Sequence, residues 1–142
     1  MFGLVLVGTD GSDRAETAVK AAVAVAKGVG APLVLVAAFR ESDAKETIQS
    51  GATTLGGSLR DAADQVLARS ARLAEAESVE VDWEARPGHP VDVILDIAQE
   101  RGAGLIVVGN KGMTGARRYL LGGVADKLSH HAPCSVMIVR TD

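Results

Sequence analysis

Aromatic residues make up only 3% of this 142-residue chain, and it holds a single cysteine, Cys134. With so few rings, the interior has to be built from Val, Leu, Ile and Ala, the side chains of buried parallel strands and the helices covering them. A lone cysteine excludes an internal disulfide. Basic residues are not in excess either: 15 Lys and Arg against 18 Asp and Glu give a formal net charge of −3. That excludes the broad basic face used to hold DNA or RNA, so no nucleic-acid partner is expected. No apolar run approaches the roughly 18 to 20 residues that cross a bilayer, and no lipidation signal is visible, so no membrane partner is expected. Met1 leads directly into a strand-like run without a basic and apolar leader, which makes the expected compartment cytoplasmic. The length is that of one domain, 1–142, able to bury a core without metal or disulfides.

Five short runs have strand length and branched side chains: "GLVLVG" (3–8), "APLVLVAAF" (31–39), "VEVDWEA" (79–85), "LIVVG" (105–109) and "SVMIV" (135–139). Four are almost continuously apolar, as strands covered on both faces are. The third alternates, Val79, Val81 and Trp83 against Glu80, Asp82 and Glu84, and so belongs at a sheet edge or on one wet face. Between the runs lie helical patterns. The first spans 12 to 29, with Ser12 as N-cap and Gly28 and Gly30 at its end; the second spans 57 to 77. A third begins at Pro90 and stops at Gly102, and a fourth runs from about 117 to 131. The chain therefore reads as α/β: a single doubly wound sheet of five mostly parallel strands with about four helices. The polar, glycine-containing segment 40–58 has no strong period and is expected to be a mobile loop or short, poorly packed helix, placed to act as a lid.

Ligands of open parallel sheets bind beyond the carboxyl ends of the strands, where the strand order reverses. The first strand ends in "GTDGS", which puts Asp10 at a strand tip just before a helix. The fourth ends in "GNKGMTGARRYLLGG", where Gly109 and Gly112 turn the loop, Gly115 adds a turn, and Gly122 and Gly123 open a helix with bare amides. Lys111, Arg117 and Arg118 bring positive charge to that loop. Neither GxxxxGK followed by Ser or Thr nor GxGxxG after the first strand is present, which argues against a P-loop NTPase or a dinucleotide dehydrogenase.

Catalytic and metal readings are weak throughout. His130 and His131 end a helix and are assigned to its last carbonyls rather than to a metal; His89 is assigned to helix entry. Cys134 reads as a small buried hydrophobe and Ser12 as a cap. No carboxylate pair or Cys–His arrangement lies beside the loop, and Asp10 is the one candidate acid or base. No catalytic residue is assigned; any turnover would be slow. The last strand leaves an edge at 135–139 that a twofold mate could cover, so a homodimer through that strand is expected.

Gly109, two residues, Gly112, nine residues, Gly122, with "VGTDGS", "GHPVDVILDIA" and "HHAPCSVMIV", resembles the universal stress protein family over essentially the whole chain. The resemblance implies a five-stranded sheet of the adenine nucleotide alpha hydrolase-like kind, homodimers, and in one branch a bound adenine nucleotide: ATP, ADP, AMP or cyclic AMP. By position, Asp10 and Thr9 would read the adenosine end, with Ala38 and Val108 lining the base pocket. Gly109, Lys111 and Gly112 would wrap ribose and phosphate, Arg118 adding charge, and the amides of Gly122, Gly123, Val124 and Ala125 would close on the phosphates. Family members that bind ATP usually carry Ser or Thr after the third glycine and often a hydroxyl two residues later. This chain has Gly123 and Ala125 there, which weakens the hold on phosphate and on Mg²⁺ and keeps open a dimeric interaction protein of the same fold without nucleotide.

Overall fold

The computed structural model describes residues 2–40, 53–110 and 123–142. The branched runs form strands β1 (Val5–Gly8), β2 (Leu33–Phe39), β3 (Val81–Pro87), β4 (Leu105–Gly109) and β5 (Ser135–Val139). The helices are α1 (Asp13–Val29), α2 (Thr53–Ala76), α3 (Pro90–Arg101) and α4 (Gly123–His131). The sheet order is β3-β2-β1-β4-β5 with every pair parallel, the doubly wound arrangement expected. The order reverses between β1 and β4, and β3, the alternating strand, lies at an edge.

Alternate side chains of the central strands face opposite layers. Val5, Val7, Leu33, Leu35, Leu105 and Val107 pack against α1 and α2 through Val19, Ala22, Leu67 and Ala74. Leu6, Val34, Val36, Ile106 and Val108 pack against α3 and α4 through Ile94, Ile97 and Leu128. Each such side chain, fully buried, stabilises the fold by roughly 1.5–3 kcal/mol, which is how a core almost without rings suffices.

Element ends differ from the sequence reading where backbone hydrogen bonds intervene. β3 begins two residues later than expected, at Val81, because the Val79 N–H closes the end of α2 on the Ala74 carbonyl (3.0 Å). It runs on to Pro87 because β2 continues beside it, Ala38 opposite Arg86 and Phe39 opposite Pro87. β2 starts at Leu33 because the Ala31 N–H is bound to Ala26 O at the end of α1. β1 starts at Val5 rather than Gly3, where the Val5 N–H first meets Pro32 O (3.0 Å). α2 starts at Thr53, so 53–58 is helix rather than loop; 41–52, and with it the lid expectation, lies outside the described residues. The expected start of the fourth helix at 117 also lies outside them.

At the β3 edge, the polar side chains form one network over α3. Arg101 Nη1 donates to Asp82 Oδ2 (2.7 Å) and Nη2 to Glu84 Oε1 (3.1 Å), while Arg86 joins Glu84 to Glu100 Oε2 (2.6 Å). The hydrogen bonds from Arg101 and Arg86 hold the Asp82 and Glu100 carboxyls below their usual pKa. A lowered folded-state pKa contributes stability above the unfolded value, and it is lost as pH falls through the folded value. The thermal midpoint is therefore expected to drop more steeply between about pH 4.5 and about pH 3 than in Asp82→Asn/Arg101→Gln, the effect being small because these groups are solvated. Parallel melting curves for the two proteins, by circular dichroism, would contradict it.

The outer rim of β3 is also partly occupied. Leu33 N–H binds Glu80 O, so the even-numbered residues turn their backbone groups toward β2 and the odd-numbered ones outward. Of the outward groups, Trp83 N–H donates to Asp82 Oδ1 (2.9 Å), and Ala85 O accepts from Arg60 Nη2 (3.3 Å). Pro87 has no N–H to offer.

Candidate functional site

Beyond Gly8 the chain has only Thr9 to Ser12 in which to leave the sheet and enter α1. Thr9 extends the ladder, its N–H on Val36 O at 2.9 Å, and is buried (1% exposed). Its Oγ1 accepts from Gly11 N–H (3.1 Å), and Asp10 Oδ1 accepts from Ser12 N–H (2.9 Å). Ser12 caps the helix, Oγ accepting from Ala15 N–H at 3.1 Å. Gly11 completes the turn at φ +83°, a conformation open to glycine at little cost. A short local bond thus pins one carboxylate oxygen of the exposed Asp10.

β4 lies beside β1, so the starts of α1 and α4 lie at the same carboxyl end of the sheet, at the switch point. Ala38, Val108, Val124 and Ala125, predicted from three separate segments, gather in the apolar cluster on the α3/α4 face. Val124 and Ala125 turn their side chains into the core (8% and 1% exposed), so what they can present to a ligand is backbone. Gly123 is exposed at the first position of α4, where a Cβ would meet nothing within 4 Å among the described residues. Helix starts carry unpaired N–H groups and partial positive charge, favouring an anion by about 0.3–1 kcal/mol each. Gly109 ends β4, half-buried. Lys111, Gly112, Gly115, Arg117, Arg118 and Gly122 lie outside the described residues.

Asn110 escaped the sequence reading. Its N–H donates to Val139 O (2.9 Å), and its Oδ1 accepts from both Thr141 N–H (2.9 Å) and Thr141 Oγ1 (3.1 Å). A Cβ at Gly109 would come within 3.1 Å of Thr141 Cγ2. The first turn after β4 is therefore clasped to the residues following β5. An asparagine after a strand was the available signal, but its partner lies 31 residues away.

The remaining candidates resolve as structural groups. His89 caps α3, Nδ1 accepting from Val91 N–H at 3.3 Å, with Pro90 following as the first helical residue. His130 turns to Asp126 one turn back (3.6 Å) rather than to the last carbonyls, because residues four apart share a helix face. Cys134 is half-buried rather than buried, packed against the α3/α4 cluster, and burial raises its thiol pKa, which lowers its reactivity. Among the described residues no three His, Cys, Asp or Glu side chains are grouped to hold a metal, and no helix is long and apolar enough to cross a membrane.

A parallel five-stranded sheet with a pinned acidic loop after β1 and a helix opened by glycine after β4 defines a doubly wound α/β domain. The chain belongs to the universal stress protein family, whose model matches residues 1–140. It is 31% identical over 148 residues to universal stress protein YxiE of Bacillus subtilis, across 99% of this chain and 100% of that one. To Rv1636 of Mycobacterium tuberculosis it is 34% identical over 152 residues, across 99% and 97%. Among solved structures it resembles a universal stress protein in complex with cAMP, with TM-score 0.75 and 28% identity over 99% of this chain and 98% of that one. It also resembles UspA of Lactobacillus plantarum, with TM-score 0.79 and 26% identity over 98% of each chain.

Proposed function

We propose that this single-domain protein is an adenine-nucleotide-binding regulator of a stress response, working by occupancy with little or no catalysis. The pinned Asp10 at the switch point, opposite the glycine-opened start of α4, is the observation that carries this reading. Asp10 takes the adenosine end with Thr9, Ala38 and Val108 beside it, while Gly109, Lys111, Gly112, Arg118 and the amides from Gly122 to Ala125 take ribose and phosphate. The likeness to a protein complexed with cAMP supports an adenine ligand. ATP, ADP, AMP and cyclic AMP are the candidates, and calorimetry against each is the test. Asp10→Ala is expected to weaken the bound nucleotide about tenfold, the worth of a hydrogen bond to a charged group. Gly123→Ser, whose side chain meets none of the described residues, should tighten phosphate-bearing ligands by a similar factor. Wild-type protein that binds none of the four at millimolar concentration would sink the reading.

Gly123 and Ala125, which offer no hydroxyl to phosphate, favour the second reading, an interaction protein of the same fold without nucleotide. Nucleotide released on denaturing the purified protein would count against it. Both readings share a homodimer through β5 and a cytoplasmic setting. The partly occupied rim of β3 supports β5 as the pairing edge, since β5 keeps Met137 and Ile138 exposed (37% and 36%).

A further inference from the structure

The loop carrying Asp10 rests on α2. A Cβ built on Gly11 would stand 2.8 Å from Val66 Cγ2 and 3.2 Å from Val66 Cγ1, so the loop backbone and the helix are in direct contact. One turn further, Ser70 is 7% exposed within a stripe otherwise made of Leu67, Ala71 and Ala74. Its hydroxyl forms no hydrogen bond among the described residues and opens into a pocket of about 50 Å³. Thr9, Gly11 and Ser12, the residues on either side of Asp10, line the same pocket. A hydroxyl in an apolar helix stripe is costly unless it has a partner, so its position facing this loop calls for a polar role.

We propose that Val66 and Ser70 are positioning residues for the adenosine end of the site. α2 is the seat that fixes Thr9–Ser12, Val66 by contact with Gly11 and Ser70 through water in the shared pocket. The pocket has room for a water, and the Thr9 and Ser70 hydroxyls supply polar partners for it. Glu16 and Arg69 both line the pocket wall, one of each charge, so the wall selects an ion of neither sign. Neither side chain touches nucleotide in this scheme. Each acts on how Asp10 is presented, and a change in α2 would alter affinity without altering the ligand's own contacts. The inference rests on the nucleotide reading for its functional consequence, but the seat itself can be tested without ligand.

Ser70→Ala is the informative variant. Alanine is the better helix former and suits the apolar stripe, so a merely structural serine predicts an unchanged or higher thermal midpoint and nothing else. The seat predicts more. Amide exchange at Gly11 and Ser12, read by NMR, should quicken about threefold to tenfold, with α3 amides unchanged. Affinity for AMP should fall by a similar factor, while affinity for inorganic tripolyphosphate, which has no adenosine, should stay within about twofold. Val66→Ala should move the same two readouts in the same direction. Unchanged exchange at Gly11 and Ser12 in both folded variants would overturn the seat, and so would equal losses for AMP and tripolyphosphate. If wild-type protein binds no AMP while exchange responds, the seat stands and the nucleotide reading falls.

Discussion

Gly11→Ala is expected to lower the unfolding free energy by about 2–5 kcal/mol and the thermal midpoint by roughly 6–15 °C. Two costs coincide at this position. The backbone sits at φ +83°, where an L-residue gives up about 1–2 kcal/mol. The new methyl would also stand 2.8 Å from Val66 Cγ2, a branched side chain with little freedom to withdraw, which adds an overpacking cost of about 1–3 kcal/mol. Gly28→Ala is the control. It lies inside α1, with nothing within 4 Å of its Cβ position and no positive φ, and should gain about 0.5–1 kcal/mol. In Gly11→Ala/Val66→Ala the steric part should be relieved, so the double variant should lose less than the two single variants predict together. Thermal and urea unfolding of wild type and the four variants, Val66→Ala included, measures all of this. A Gly11→Ala midpoint within about 2 °C of wild type would mean that the loop is not held against α2 as described.

The same residues show how far the sequence could be read. β1, β2 and β4 were legible because burial on both faces demands unbroken runs such as Val5–Val7 and Leu105–Val108. The edge position of β3 was legible from Asp82 and Glu84, which a central strand could not bury. Its bounds were not, since they depend on which carbonyl the Val79 N–H reaches. In the site, Asp10 stood out because it follows a central strand at the carboxyl end of the sheet, where ligands of such sheets bind. What holds it could not be read: the Gly11–Val66 contact and the Asn110–Thr141 bonds join segments far apart in sequence, and no local pattern encodes them. Ser70 shows the limit most clearly. On helical spacing it counts as one more member of an apolar stripe, and only the pocket shared with Thr9 gives its hydroxyl a purpose.

Ile138→Pro is expected to raise the dissociation constant of the proposed dimer by more than about 100-fold while leaving the subunit folded. Val139 O receives Asn110 N–H, so the odd-numbered residues of β5 turn their backbone groups toward β4 and Ile138 turns its own outward. Proline at 138 therefore removes a donor that β4 does not use, and an edge strand tolerates it. In a twofold interface each loss occurs on both subunits, so a missing hydrogen bond of about 0.5–1.5 kcal/mol and a trimmed Ile side chain are both counted twice. Together they exceed the roughly 2.8 kcal/mol that a 100-fold change requires. Sedimentation equilibrium reads the constant, and circular dichroism checks the fold. Arg60→Ala, which uncovers the Ala85 carbonyl on the opposite edge, should leave the constant unchanged. A wild-type monomer would remove the dimer from the proposal. A dimer indifferent to Ile138→Pro would place the interface elsewhere, and one weakened instead by Arg60→Ala would move it to β3, making the outward groups of that strand contacts instead of guards.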